Sequence, residues 1–264
     1  MKHFLMCEPR FFQVCYVINP WMEGNQGRVD RELAQQQWQN LHDIVARLAS
    51  VSLVEPVAGL PDMVFTANAG LVHKNQVIVS SFLNAERQPE AKYFGQFFSA
   101  HGYRVIRLPG GAIFEGAGDA LFDARGRLWF GSGIRSESHA LGEIIDALNV
   151  ETHALELVDP HWYHLDTAFC PLPQGQAIAY EKAFAQESVD ALNHAFGENI
   201  IWVSEPDAKN FACNAISIDR SVIMHRVSAE LQSALAQRGL EVIEADVSEF
   251  LKAGGACKCL TLEI

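Results

Sequence analysis

One thiol, one imidazole and several carboxylates of this chain stand ahead of short apolar runs at similar points of a repeating pattern. They are Cys259, His164, Asp166, Glu115 and Asp119. A thiolate attacks electron-poor carbon, and a histidine, which titrates near neutral pH, can protonate a departing amine and then activate water. Carboxylates that face one pocket are costly to bury unless a cation lies between them. The set therefore favours a planar cation with several N–H donors, a description that guanidinium fits best.

The pattern that positions these residues is an internal repeat. Small residues, one polar or reactive residue and a brief apolar run recur around Asn68, Asp119, Asp166, Asn214 and Cys259, at steps of 51, 47, 48 and 45 residues. A tight turn and a second apolar run follow most of these stretches, which predicts β-hairpins. Helical spacing and a further strand come next. The predicted helix at the start spans 31–49, and the predicted third strands span 51–54, 103–108, 152–158, 199–203 and 240–245.

The predicted unit is a hairpin, a helix and a strand, repeated about five times within one domain that covers residues 1–264. Each unit has an apolar face that only its neighbours can cover, and no polar capping repeat is visible, which favours a closed ring. A ring brings the polar starts of its inner strands together at the axis. The alternative is an ordinary α/β sheet in which the similarity of the stretches is incidental.

The amino-acid composition of the chain limits the classes of partner that it can bind. The chain has 264 residues, 20 Lys and Arg against 32 Asp and Glu, and a formal net charge of −12. This balance argues against nucleic acid and anionic membranes as partners but suits a cationic small molecule. No apolar run approaches the ~18–20 residues of a membrane span. The six cysteines form no pair of zinc knuckles, so we expect reduced thiols and a cytoplasmic location.

Three stretches, 114–119, 164–167 and 254–261, resemble the guanidine-modifying superfamily, the penteins. That superfamily includes arginine deiminases, dimethylarginine dimethylaminohydrolases and amidinotransferases. Stretches 16–25, 61–70 and 210–215 are similar to one branch, the arginine dihydrolase domain, which is often fused to an ornithine-handling domain that has no counterpart in these residues. The resemblance runs nearly end to end. It implies an α+β fold, the five-bladed pseudo-symmetric ββαβ α/β-propeller (pentein fold), which the repeat predicts independently.

The resemblance also implies roles for the catalytic residues. Cys259, directly before Leu-Thr and after a Gly-Gly turn, would be the nucleophile, with Cys257 as its rival. His164 would be the general acid and base. Glu115 and Asp166 would bind the guanidinium nitrogens, whereas Asp119 would lie behind them.

The binding residues implied by the resemblance come from three other parts of the chain. Asn19 and Asn68 would line the site, and Asn68 stands where deiminases usually carry an acid. Arg87 and Arg135 would hold the α-carboxylate of an amino acid, a suitable use of a planar fork. Either arginine could instead be a solvated surface charge.

The implied reaction is L-arginine plus two waters giving L-ornithine, two ammonia and carbon dioxide, without a cofactor or a metal. Stopping after one ammonia would give citrulline and make the chain a deiminase. Dimethylarginine, agmatine and transfer of the amidino group to an acceptor amine stay open as alternatives. So do a metal-dependent enzyme, a ring used only as a partner-binding module, and the question of a homo-oligomer.

Overall fold

Short strands alternate with helices in nearly the order that the repeat predicts. The computed structural model describes residues 1–264. The strands are β1 (His3–Cys7), β2 (Ser50–Val54), β3 (Gly70–His73), β4 (Gln76–Val79), β5 (Arg104–Ile106), β6 (Ala120–Phe122), β7 (Leu128–Ser132), β8 (Thr152–Glu156), β9 (Phe169–Leu172), β10 (Gln176–Ala179), β11 (Ile200–Trp202), β12 (Ile216–Ile218), β13 (Ser221–Met224), β14 (Glu241–Glu244) and β15 (Leu262–Glu263). The α-helices are α1 (Arg31–Leu48), α2 (Glu90–Ala100), α3 (Ala140–Leu148), α4 (Leu165–Ala168), α5 (Gln186–Phe196), α6 (Glu205–Lys209), α7 (Ala229–Gln237) and α8 (Ser248–Leu251).

The strands form five three-stranded sheets, in the orders β3-β4-β5, β6-β7-β8, β9-β10-β11, β12-β13-β14 and β15-β1-β2. Each sheet combines an antiparallel pair with one parallel neighbour. Leu71 of β3, for example, pairs antiparallel with Ile78 of β4, and Val77 of β4 pairs in parallel with Val105 of β5. A parallel pair needs a crossover connection, and α1, α2, α3, α5 and α7 supply one in each sheet. The ββαβ unit predicted from the sequence is confirmed.

The two ends of the chain close the ring. β15 pairs antiparallel with β1, with Leu262 opposite Leu5, and β1 pairs in parallel with β2. The fifth inner strand therefore completes the sheet that the first residues begin. Because every sheet then has a neighbour on both sides, no unit needs a capping repeat.

Tight turns join the two strands of each of the four hairpins, and their residues adopt left-handed backbone. Lys74 and Asp219 have φ of 55° and 51°, and Gly126 and Gly175 have φ of 78° and 74°. Short hairpin loops need positive φ to match the twist of the flanking strands. The middle strands that follow these turns, such as β4 and β10, are almost wholly buried, because a helix covers one face and a neighbouring sheet covers the other.

The predicted boundaries differ little from the observed ones. The predicted helix 31–49 is α1, one residue shorter, and the predicted strands 103–108, 152–158, 199–203 and 240–245 are β5, β8, β11 and β14, each shorter by two or three residues. After β8 the chain leaves its own sheet to contact the next repeat, because the Val158 N–H donates to the Ala183 carbonyl. No helix of this fold has both the length and the apolar character needed to cross a bilayer.

Candidate active site

A closed circle of hydrogen bonds links the five repeats at the axis of the ring. Each bond joins the polar residue that precedes one inner strand to the equivalent segment of the next repeat, over distances of 2.8–3.1 Å. The donor and acceptor pairs are Asn68 Nδ2 to Glu115 O, Leu165 N to Asp119 Oδ1, Asn214 Nδ2 to Asp166 O, Cys259 N to Asn214 Oδ1, and Ala67 N to Cys259 O. The repeat therefore positions all of these residues within one buried layer.

Short helical turns hold several of these residues just before their strands. Asn68 lies in a 3₁₀ turn, Thr66–Ala69, and Asp166 lies in α4. A third turn, Gly116–Gly118, precedes β6, and Gly116 has a φ of 65°. A Cβ on Gly116 would lie 2.9 Å from the Gly70 nitrogen and 2.8 Å from the Ser80 Oγ, so only glycine lets the two repeats approach this closely.

The Cys259 thiol lies against a carboxylate and an amide. It donates to Asp166, 3.5 Å from Oδ2, and accepts from Asn214 Nδ2 at 3.1 Å. Burial raises the pKa of this thiol well above its usual value, and Asp166 raises it further, while Asn214 and Lys258 act in the opposite direction. Burial also raises the pKa of Asp166 to about 6. Burial therefore shifts both groups toward their neutral forms, and a cation between them would act in the opposite direction.

Asn214 holds this cluster together. Its Oδ1 accepts from the backbone nitrogens of Ala256 and Cys259 at 3.1 and 3.0 Å, and its Nδ2 contacts both the Cys259 sulfur and the Asp166 carbonyl. The side chain is fully buried. Because two donors lie beside one atom of the amide and two acceptors lie beside the other, the first atom is the oxygen and the second is the nitrogen.

The rival thiol faces elsewhere. Cys257 is fully buried, its sulfur lies 4.0 Å from the Ala245 carbonyl, and burial raises its pKa to about 12. Cys259, in contrast, lines a pocket next to Asp166. The geometry therefore favours Cys259 over Cys257 as the nucleophile.

His164 belongs to a second cluster of buried acids. Its Nε2 lies 2.7 Å from Glu115 Oε2 and 3.9 Å from Asp119 Oδ2. Burial alone would raise the pKa of Glu115, but Arg135 and His164 outweigh it, and that pKa lies below its usual range. Burial raises the pKa of Asp119 to about 6 against the opposing effects of His164 and Ser136. Glu115 is therefore the ionised partner of the histidine.

Both oxygens of Glu115 already accept protein donors. Oε1 accepts from the Leu83 nitrogen at 3.1 Å, and Oε2 accepts from Arg135 at 2.9 Å as well as from His164. This arrangement places Glu115 as the group that orients His164 and Arg135. Its expected contact with guanidinium nitrogens stays a prediction.

The two predicted carboxylate-binding arginines are buried rather than solvated. Arg87 pairs with Glu90 through two bonds of 3.0 and 2.9 Å. It also donates to Asn68 Oδ1 at 2.9 Å and to the Asp62 carbonyl at 3.2 Å, which leaves one N–H without a protein partner. Arg135 donates to Glu115 and to the Ile18 carbonyl, which leaves its Nε and one hydrogen on each terminal nitrogen without a protein partner. Only 4% of Arg87 and 5% of Arg135 is exposed, so neither is a surface charge.

One narrow pocket joins these groups. Cys259, Asn19, Asn68, Arg87 and Arg135 all line it. Glu115 lies behind Arg135, His164 lies behind Glu115, and Asp166 lies behind Cys259. The pocket volume is about 10 Å³, which suits a single water, so an amino acid needs displacement of part of the wall. Asn19 caps the 3₁₀ turn Pro20–Met22 in that wall and donates to the Ala253 carbonyl.

Two residues in this region had no predicted role. Asp62 lines the pocket, accepts from the Tyr16 hydroxyl through Oδ2, and leaves its buried Oδ1 without a partner. That oxygen, next to Arg87, suits an ammonium group. Asn214 is the other, although its place in the repeat already set it beside Cys259. No group of three or more His, Cys, Asp or Glu side chains has a metal-ligating arrangement.

Comparison with known proteins agrees with this arrangement. The family model of eukaryotic N,N dimethylarginine dimethylhydrolase matches residues 21–264. The bifunctional arginine dihydrolase/ornithine cyclodeaminase AgrE of Nostoc sp. is 48% identical over 99% of this chain, which spans only 37% of that protein's length. The N(G),N(G)-dimethylarginine dimethylaminohydrolase of Mycobacterium tuberculosis is 38% identical over the whole chain and 86% of its own length.

One of the matching solved structures aligns with this chain over its whole length. The N-terminal domain of ArgZ, a cyanobacterial arginine dihydrolase, was determined as a Cys→Ser mutant bound to substrate; it is 48% identical, with a TM-score of 0.98 over 100% of this chain and 98% of that one. The five-bladed pentein fold is thereby confirmed. The chain belongs to the dimethylarginine dimethylhydrolase family, within the guanidine-modifying superfamily.

Proposed function

We propose that this chain is an arginine dihydrolase that converts L-arginine and two waters into L-ornithine, two ammonia and carbon dioxide. The observation that carries the proposal is the Cys259 thiol, which lies 3.5 Å from Asp166 on the wall of a pocket that two buried arginines share. The names of AgrE and of ArgZ support this substrate. We further propose that residues 1–264 act as one domain, in the cytoplasm, with neither nucleic acid nor membrane as partner.

The ends of the substrate match the two ends of the pocket. The free N–H groups of Arg135 and the remaining one of Arg87 receive the α-carboxylate, and the unpartnered Asp62 Oδ1 accepts from the α-ammonium. The guanidinium then lies against Asp166 and Cys259. Because a cation lowers the pKa of nearby acids, the bound substrate itself favours the thiolate form of Cys259.

The first half of the reaction replaces one nitrogen by oxygen. The Cys259 sulfur forms a bond to the guanidinium carbon, and one terminal C–N bond breaks as ammonia leaves with a proton from His164. Water then adds to the same carbon and gives its proton to His164. The C–S bond breaks, which leaves the ureido product in the pocket and restores the thiolate. Glu115 keeps the imidazole oriented through the 2.7 Å contact between its Oε2 and the imidazole Nε2.

The second half needs the neutral ureido group to stay bound. Cys259 adds again to its carbon, ornithine leaves as the amine, and a second water releases the remaining carbamoyl group as ammonia and carbon dioxide. An amide at position 68 assists, because it both donates to and accepts from a urea. Arg87 on Oδ1 and the Glu115 carbonyl on Nδ2 fix the orientation of Asn68 and leave one hydrogen and one lone pair for the ligand.

The test is a product balance. The protein is incubated with L-arginine in the absence of added metal, and ornithine, citrulline and ammonia are quantified together, with Cys259→Ser as the inactive control and Cys257→Ser as the matched active one. Two ammonia for each ornithine, with little citrulline, is the expected result. Citrulline with one ammonia identifies a deiminase instead. Absence of any product from the parent protein favours a partner-binding module.

Dimethylarginine is the second candidate substrate, because the matching family model and the mycobacterial relative bear the name of that activity. The same assay with asymmetric dimethylarginine separates the two. A Cβ added to Gly118 would overlap Asn68 Nδ2 and would lie 3.3 Å from the His164 ring, so little space surrounds these side chains. We expect the unmethylated guanidinium to be turned over faster for that reason.

A further inference from the structure

A second cavity runs along the axis of the ring from the opposite end. Its volume is about 660 Å³, and residues of all five inner strands line it, from β3, β6, β9, β12 and β15. These strands begin beside the candidate active site and end at the hairpin turns, and turn residues such as Lys74 and Asp219 also line the cavity. We call it the axial cavity. It therefore opens on the face of the ring that lies away from the active-site pocket.

The axial cavity has the character of a small-molecule site. Sixteen of its 26 lining residues are hydrophobic, among them Phe122, Leu172 and Ile216, and its volume lies in the range of ~300–1,000 Å³ that is typical of such sites. A few polar groups stand among these side chains. The body of a ligand would therefore contact apolar surface, and the polar groups would select its charge.

Most charges of the axial cavity already have partners, but one cation near its inner end does not. Lys2 pairs with Glu263 at 2.8 Å, and Asp123 pairs with Arg127 at 2.7 Å. Lys258 is only partly exposed and forms no ion pair; the one hydrogen bond of its side chain is a long contact of 3.4 Å from Nζ to the Thr261 carbonyl. An ammonium has three donors, so most of the hydrogen-bonding capacity of Lys258 is free.

The remaining charges do not cancel Lys258. Lys74 and Asp219, both in turns at the mouth, have no ion-pair partner, and the His73 ring packs at a tilt against Phe122 with its pKa lowered by burial. Lys258 is thus the unpaired charge at the inner end of the axial cavity, whereas Lys74 and Asp219 lie in the turns at its mouth. An anion is the ligand that complements Lys258.

We propose that the axial cavity binds a small organic carboxylate, whose charged group pairs with Lys258 and whose apolar body packs against the inner strands. Lys258 directly precedes Cys259, and its charge lowers the pKa of both Cys259 and Asp166. A bound anion would oppose that effect. If the proposed arginine dihydrolase activity holds, the same site is a place where a metabolite can slow the reaction without competing with arginine.

The experiment measures binding rather than turnover, so its failure is distinct from failure of the proposed function. The methyl groups of the Cys259→Ser protein are labelled with ¹³C, and butanoate, hexanoate and octanoate are titrated in turn, each against the alcohol of equal length. We expect saturable shifts of the Leu172, Ile216 and Leu262 methyls, with affinity rising roughly fourfold for each added methylene. We expect each carboxylate to bind at least tenfold more tightly than its alcohol.

Two lysine variants test whether Lys258 pairs with the carboxylate of the ligand. Lys258→Met in the same background is expected to remove the preference for carboxylate over alcohol and to leave alcohol binding unchanged. Lys92→Met, on the outer helix α2, is the matched control and should preserve the preference.

Four results would overturn the proposal. Shifts confined to the Ile18 and Met22 methyls would place the anion in the active-site pocket, and equal affinities of carboxylate and alcohol would remove the role of charge. Inorganic phosphate that binds more tightly than octanoate would remove the role of the apolar body. Absence of saturable binding would dismiss the site altogether.

Discussion

Replacement of Asn214 tests whether its buried amide both holds Cys259 in place and stabilises the Cys259 thiolate. In Asn214→Asp, one carboxylate oxygen still accepts from the Ala256 and Cys259 nitrogens. The other oxygen takes the place of Nδ2, which in the parent lies 3.1 Å from the Cys259 sulfur and 3.0 Å from the Asp166 carbonyl. In Asn214→Ala, both backbone donors and the Asp166 carbonyl lose a partner.

The two variants are expected to affect different quantities, the ionisation of Cys259 in one and the free energy of unfolding in the other. A hydrogen bond to a charged group contributes about 1.5–3 kcal/mol, so loss of the bond to the thiolate in Asn214→Asp should reduce the ionised fraction of Cys259 about 10- to 150-fold. Each buried group without a partner costs about 1–3 kcal/mol, and water recovers part of that cost. We therefore expect Asn214→Ala to lower the free energy of unfolding by about 3–5 kcal/mol.

The assay is alkylation of Cys259 by iodoacetamide at mildly alkaline pH, followed by peptide mass spectrometry, with urea unfolding measured in parallel. Only the thiolate reacts, so the alkylation rate reports the ionised fraction. The exposed Cys15 is an internal reference whose rate should not change, and Asn193→Asp, at an exposed position of α5, is the matched control. If Cys259 of Asn214→Asp reacts at the parental rate, the amide does not stabilise the thiolate and the reasoning is wrong.

Three further predictions concern the rest of the site. The pKa of Asp119 is raised from 3.8 to about 6 in the folded state, so this group stabilises the fold below pH 3.8 and loses that effect as the pH rises to about 6. Over that window the free energy of unfolding of the parent should fall by about 3 kcal/mol relative to that of Asp119→Asn. Parallel curves of stability against pH for the two proteins would contradict this prediction. Arg135→Lys replaces a planar fork of five donors by three donors on one nitrogen, so it cannot keep its bonds to Glu115 and the Ile18 carbonyl and also bind a carboxylate through two hydrogen bonds. KM for arginine should therefore rise at least tenfold, whereas the exposed control Arg220→Lys should leave it unchanged. Asn68→Asp places an oxygen 2.8 Å from the Glu115 carbonyl and cannot donate to a urea, so citrulline should accumulate; unchanged ornithine production without citrulline would refute the role of the amide.

The ring and the convergence of its polar residues were predictable from sequence because the repeat is nearly regular. Each residue chosen for the repeat lies one to three positions before an inner strand, from Asp119, directly before β6, to Cys259, three residues before β15. A ring with one polar position per unit must bring those positions to its axis. The hydrogen bonds from Asn68 to the Glu115 carbonyl and from Leu165 to Asp119 are consequences of that geometry.

The partners of individual side chains were not predictable in the same way. Glu115 was expected to face a ligand, yet both of its oxygens accept donors from segments 20–49 residues away, which no local pattern indicates. The four-residue turns that hold Asn68 and Asp166 are too short to show helical periodicity. The free oxygen of Asp62 depends on how the Tyr16 hydroxyl docks across the pocket, which only the folded chain reveals.

The most direct test of the central claim is to trap the carbon–sulfur bond. The protein is mixed with L-arginine, quenched with acid within one turnover, digested and analysed by mass spectrometry. We predict a peptide in which Cys259 has gained the mass of arginine less ammonia, while Cys257 in the same peptide is unmodified. Formation of ornithine or citrulline at full rate with no adduct on Cys259 at any quench time would contradict the account.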